Sequence, residues 1–137
     1  MMPTYRDLAE DLGLSLRVSF IGSRSFDGVA ETYARASVVC IPSRWDEPFG
    51  FVAAKAMAMR RPLVAPSGAL AELCADDGCF VAVDREPRSI VASLQAAFSD
   101  EADQTRRAAS AYTFALDRLT ADPAGTNYQA VYESVIS

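Results

Sequence analysis

Apolar positions recur in two rhythms along the chain. In "PTYRDLAEDLG", Leu8 and Leu12 lie four apart among charged residues and the run stops at Gly13, which predicts an amphipathic helix closed by glycine. In "SLRVSFIG", Leu16, Val18 and Phe20 alternate with polar or basic neighbours, which predicts a strand running into a Gly-Ser loop. Ser25 or Asp27 then stands where a cap is needed for a helix through "VAETYARA". "SVVCIP" is a continuous apolar run closed by Pro42, as expected of a strand covered on both faces.

The alternation continues. "FGFVAAKAMAM" reads as a helix, "PLVAP" as a short strand, "ALAELCA" as a short helix and "CFVAV" as another strand. Strands that alternate with helices across short loops mark a parallel α/β sheet. After Val83 the pattern is helical in three further stretches, with Pro87 and Pro123 each suited to a first turn. The predicted fold is one α/β domain over residues 1–137, Rossmann-like, with a mostly parallel sheet of about four strands flanked by helices.

Composition narrows the classes. With 137 residues, 50% of them apolar or aromatic, the chain can build one core of ordinary size. A net charge of -5, with no basic cluster larger than Arg60-Arg61 or Arg106-Arg107, argues against a nucleic-acid surface. No histidine and only three cysteines, with Cys40 inside an apolar run, leave no pattern for a zinc site, and no metal is expected. Cys74 and Cys79 could pair in an oxidising compartment. No apolar run reaches the ~18 residues of a membrane span, and "MMPTYRDLAEDL" lacks the plan of a signal peptide, so a cytoplasmic location is expected.

The chemistry concentrates in "PSRWDEPFGFVAAKAMAMRRPLVAPSG". Pro48 fixes the backbone ahead of a helix, and Gly50 removes a side chain where a ligand would approach the first N–H groups. Such a helix N-terminus favours an anion, a phosphate above all. Glu47, just before it, serves either as an acid stabilised by the helix dipole or as an acceptor for ligand hydroxyls.

The stretch from Ile41 to Leu73 resembles the donor-site segment of the retaining GT-B fold glycosyltransferases of family 4 (group 1). Their pattern runs Pro-Ser, Glu-Pro-Phe-Gly, Glu-Ala-Met-Ala, Gly, Pro-Val-Val-Ala, Gly-Gly and Glu. "RVSFIG" and "ETYARASVVCIPS" precede it in the family's order, and "CFVAV", three helices and "YQAVYESV" follow, so the resemblance covers nearly the whole chain. It implies transfer of a sugar from a nucleotide-sugar to an acceptor glycan, lipid or small molecule, with retention of configuration and no cofactor. Glu47 would be the acid facing the donor sugar and the one catalytic residue carried here. Phe49, Gly50, Phe51 and Val52 would form the turn whose amides meet the sugar and diphosphate. Gly22 and Ser23 would lie beside the nucleobase, and Glu72 matches an acid of structural character.

Three positions depart from the family. Lys55 replaces the second glutamate, whose carboxylate would accept from both ribose hydroxyls, and lysine has only donors. It remains open as a solvated lysine, a phosphate contact or a ribose contact of reversed polarity. Arg60 stands where the family has a glycine past the helix, and Ala69 replaces the second glycine of the Gly-Gly step. The resemblance places the chain in the later part of the C-terminal, donor-binding domain. The acceptor domain and the first two strand units, with the Arg and Lys that hold the diphosphate, are not in the sequence. The isolated chain is therefore expected to be inactive. "RVSFIG" would have to join a compact four-stranded sheet, or the chain would dimerise or pair with a complementing chain. A degenerate, non-catalytic partner module is the alternative expectation.

Overall fold

The computed structural model describes residues 4–47, 50–74 and 77–136. The chain divides into two compact units, residues 1–31 and 32–137.

The first unit holds helix α1 (Tyr5–Asp11) and the start of α2 (Phe26–Arg35). Thr4 and Asp7 form a capping box, Thr4 Oγ1 accepting from Asp7 N–H at 3.2 Å and Asp7 accepting from Thr4 N–H at 2.8 Å. At the other end, Gly13 N–H donates to Glu10 O and Leu14 N–H to Ala9 O, the paired bonds of a Schellman motif. Ala9 is the buried residue of α1, whereas Leu8 and Leu12 are exposed, so the apolar face expected of this helix is not the one it covers. Ser25 proves to be the cap of α2, accepting from Gly28 N–H at 3.2 Å.

The strand expected over "SLRVSFIG" does not form. Arg17 and Val18 donate their N–H groups to Leu14 O in a turn, the backbone beyond Val18 joins no sheet, and Leu16, Val18, Phe20 and Ile21 are exposed. Alternation makes a segment suitable for a sheet, but a strand exists only where a neighbour takes its backbone hydrogen bonds. The described sheet accordingly has three strands rather than four.

Those strands belong to the second unit: β1 (Val39–Cys40), β2 (Leu63–Pro66) and β3 (Phe80–Ala82), parallel and in the order β1-β2-β3. Val39 and Cys40 pair with Leu63 and Val64, and Val64, Ala65 and Pro66 pair with Phe80, Val81 and Ala82. Helices α3 (Phe51–Ala58) and α4 (Ala69–Leu73) make the crossovers, and α5 (Pro87–Ser99), α6 (Glu101–Arg118) and α7 (Ala121–Ile136) follow.

The two faces of the sheet are served by different helices. Ile41, Leu63 and Ala65 pack with Ala53, Ala56 and Met57 of α3, Leu70 of α4, and Ala111 and Ala115 of α6. On the opposite face Val64 and Phe80 pack with Leu94 and Ala97 of α5. The small residues at 53, 56, 111 and 115 let α3 and α6 approach closely, and these two helices pack along a broad face.

Two further devices fix this arrangement. Arg106 and Arg107 on α6 grip Asp77 and Asp103, with Arg107 Nε 2.8 Å and Arg106 Nη2 2.6 Å from Asp103, and Arg107 Nη1 donates to Cys79 O at 3.0 Å. Hydrogen bonds from Arg106 hold Asp77, and bonds from Arg107 and then Arg106 hold Asp103, below the usual carboxylate range. The second device is at the end of α3. Arg60 has φ 51°, donates its N–H to Met57 O, and lays its guanidinium 4.1 Å from the centroid of the Tyr112 ring. The left-handed position expected there is therefore occupied by arginine, with a cation–π contact as compensation.

Arg60→Gly should relieve ~1 kcal/mol of backbone strain while losing ~0.5–1 kcal/mol of cation–π attraction, leaving urea stability nearly unchanged. In a Tyr112→Leu background the same change should stabilise by about 1 kcal/mol, since only the strain remains to be relieved. The acidic network makes a second test. Carboxyls depressed in the folded state add stability above their unfolded pKa of ~3.9 and lose it as pH falls through the lower folded values. Arg106→Ala should thus lower the urea midpoint at pH 7, and the gap to the parent chain should close below about pH 3.9.

Candidate functional site

Parallel strands deliver their carboxyl ends to one edge of the sheet, and loops gathered there are the usual ligand site of open α/β folds. Here that edge carries residues 41–47 and Gly50 after β1, Ser67 and Gly68 after β2, and residues 83–86 after β3. Ser67 joins two of these loops, its N–H donating to Ala82 O at 2.8 Å and its Oγ to Val83 O at 3.0 Å.

Glu47 is half-buried and accepts a hydrogen bond from Ser43 Oγ. Its carboxylate is thereby oriented and keeps acceptor capacity for a second donor. The "Pro-Ser" step was legible as part of the motif, but nothing in the sequence assigned Ser43 this task.

Gly50 is buried at the N-cap of α3 with φ 66° and ψ 55°, a left-handed conformation, and the cap supplies no side-chain acceptor. Ala53, Ala56 and Met57 form the buried side of α3, while Phe51, Val52 and Lys55 stand on its exposed side. Phe51 is 70% exposed at the mouth of the helix. Lys55 follows it by four residues on the same face and makes no ion pair among the described residues. Tyr33 Oη donates to Val52 O at 3.3 Å, tying α2 to the first turn of α3, and burial pushes the Tyr33 phenol up. Tyr33 gave no signal in the sequence beyond its place on a helix.

The structure thus brings Glu47, Gly50, Phe51, Val52 and Lys55 to one loop and helix mouth. Pro48 and Phe49 lie outside the described residues. Gly22, with φ 64°, and Ser23 are exposed residues of the first unit. Glu72 is exposed in the first turn of α4, where its N–H donates to Gly68 O at 3.1 Å. No group of three or more carboxylate or cysteine ligands gathers among the described residues. Cys74 and Cys79 are buried as free thiols, the hydrogen bond between them raising the Cys74 thiol and lowering that of Cys79.

The fold and the strand-end loops are those of a GT-B-like, Rossmann-type α/β domain. Sucrose-phosphate synthase from Thermosynechococcus elongatus superposes with a TM-score of 0.82 at 20% identity, covering 96% of this chain and 33% of that one. Anabaena Alr3699/HepE, solved in complex with UDP and glucose, gives a TM-score of 0.77 at 26% identity, covering 96% of this chain and 35% of that one. Residues 2–100 match the family of group 1 glycosyl transferases, and the chain belongs to it. Among relatives, D-inositol 3-phosphate glycosyltransferase of Corynebacterium kroppenstedtii is 35% identical over 99 residues, covering 71% of this chain and 22% of its own. The uncharacterised glycosyltransferase MJ1607 of Methanocaldococcus jannaschii is 38% identical over 97 residues, 69% of this chain and 24% of its own. The chain therefore spans about a quarter of the length of the curated relatives it matches. No described helix is long and apolar enough to cross a membrane.

Gly50 gives this site a direct structural test. A side chain at its left-handed, buried position costs on the order of 1–2 kcal/mol. Gly50→Ala should lower the unfolding free energy by about that amount in urea titration, and a neutral result would show that the helix mouth tolerates an ordinary backbone.

Proposed function

We propose that the chain is the donor-binding part of a glycosyltransferase that moves a sugar from a nucleotide-sugar to an acceptor with retention of configuration. The single observation that carries this reading is Glu47, oriented by Ser43 and set against the capless, glycine-led N-terminus of α3 at the carboxyl edge of a parallel sheet. Helix N–H groups and the macrodipole suit the diphosphate, and an oriented carboxylate suits sugar hydroxyls. Family membership and the UDP bound by HepE support the same substrate class.

In this reading the diphosphate leaves with its growing charge stabilised at the mouth of α3, while Glu47 holds the sugar in register. The amides at Phe51 and Val52 complete the turn around the phosphates. Acceptor binding falls to sequence that the relatives possess and this chain does not span. No metal or organic cofactor takes part, and the protein works in the cytoplasm.

A specific observation favours a second reading. Lys55, in the place of the ribose-binding carboxylate, is exposed on the same face as Phe51 and Val52 and offers only donors. A module so altered would keep the fold and bind a partner chain in place of a donor.

Calorimetric titration with UDP, GDP and ADP and their glucose conjugates separates the two. The donor reading expects binding of one nucleotide series. Glu47→Ala should weaken the sugar conjugate at least tenfold, the worth of a charge-assisted hydrogen bond, and leave the bare diphosphate nearly unaffected. If no nucleotide binds at millimolar concentration, the donor reading fails for this chain. If binding emerges only in Lys55→Glu, the chain is a disabled donor domain.

A further inference from the structure

Three loops at the carboxyl edge meet around one backbone position. Arg85, after β3, forms an ion pair through Nη2 with Asp46, after β1. Between them lies Gly68, after β2, with φ 113° and ψ -156°. A Cβ built on Gly68 would collide with Asp46 Oδ1 and stand 3.2 Å from Arg85 Nη2. Only a bare backbone lets the two side chains meet there.

The arginine has little freedom. Its Nε is buried and has no hydrogen-bond partner among the described residues, while its side chain as a whole is 32% exposed. A guanidinium with one N–H shut away from water keeps that position only if the rest of the group is well engaged. The engagement the structure shows is Asp46, the residue immediately before Glu47.

We infer that Arg85 is a positioning residue for the candidate donor site. Through Asp46 it fixes segment 43–47, and with it the carboxylate of Glu47, against the ends of β2 and β3. The segment is then held at two points, Ser43 to Glu47 within it and Asp46 to Arg85 across it. Neither Asp46 nor Arg85 belongs to the motif by which the sequence resembles its family. The inference rests on the donor-site reading for its consequence, but not for its geometry.

Trp45, the one tryptophan of the chain and 68% exposed, sits beside Asp46 and reports the order of this segment without any ligand. In the full chain, Arg85→Ala and Asp46→Asn should each lower Trp45 fluorescence anisotropy and raise its quenching by acrylamide, with Arg85→Lys in between. Gly68→Ala should behave like Arg85→Ala. Where Arg85→Ala fails to fold, the unmodified chain in about 1 M sodium chloride provides the same reading, because a half-exposed pair is screened there. Affinity for the nucleotide-sugar should fall up to about fivefold in Arg85→Ala and no further in the Asp46→Asn, Arg85→Ala double variant.

Unchanged Trp45 signals in folded variants, or in high salt where folding fails, overturn the inference. So does nucleotide-sugar binding that is undiminished in Arg85→Ala once Trp45 has been freed. Trp45 signals that respond in a chain binding no nucleotide count against the donor-site reading instead, and leave the hold of Arg85 on the loop standing.

Discussion

Strand β2 is buried along its whole length, and a parallel strand in that position must be covered on both faces. The rest of the domain follows from meeting that demand. Alternate residues of β2 point to α3, α4 and α6 on one side and to α5 on the other, so each helix needs a stripe of small or branched residues at its own spacing. Because successive strands run the same way, every crossover starts at the carboxyl edge. The loops that bear Glu47, Gly68 and Arg85 are brought together by topology before any of their side chains make contact.

Covering β2 also sets how closely backbones approach. Ala53, Ala56, Ala111 and Ala115 bring α3 and α6 together on one face, and α3 must then end where β2 begins. The turn from Met59 to Pro62 is accordingly tight. It places Arg60 in the left-handed region and recruits Tyr112 of α6 to meet its charge. At the other end of α3, Gly50 adopts the same backbone region without a side chain. One helix thus has a strained, occupied terminus at the edge away from the site and an open terminus at the site.

The elements that pack against β2 were legible in the sequence because burial on both faces leaves a continuous apolar run, as in "SVVCIP" and "PLVAP", and covering helices leave a 3.6-residue rhythm. The segment "SLRVSFIG" was misleading for the same reason. Its alternation is a property of the segment alone, whereas a strand is a property of a pair, and no described neighbour takes its hydrogen bonds. Within the site, Glu47 and Gly50 were visible through the motif, and Lys55 through its departure from it. Asp46 and Arg85 were not, since they lie 39 residues apart on two loops with no periodicity to connect them. Pairings between loops depend on where the strands end, and sequence spacing carries no record of that.

The electrostatics of the site turn on Lys55. The chain carries a net charge of -5, and its strand-end loops carry four carboxylates, Asp46, Glu47, Asp84 and Glu86, of which Glu47 lies three residues before the α3 N-cap proposed to seat a diphosphate. Arg85 is engaged by Asp46, so its charge is largely neutralised locally. The positive features left at this edge include the N-terminus of α3, the exposed Arg44 of the loop after β1, and the exposed ammonium of Lys55, four residues from Phe51. At an effective dielectric of about 20, a cation 4 Å from a phosphate oxygen is worth ~4 kcal/mol before its own desolvation is counted, more than a helix terminus supplies. A carboxylate at the same position would add to the repulsion, and cations from elsewhere would have to offset it. In the proposed donor reading, lysine at this position would exchange a ribose acceptor for a phosphate donor, so that the attraction for phosphate would come from the domain's own helix rather than from cations supplied elsewhere.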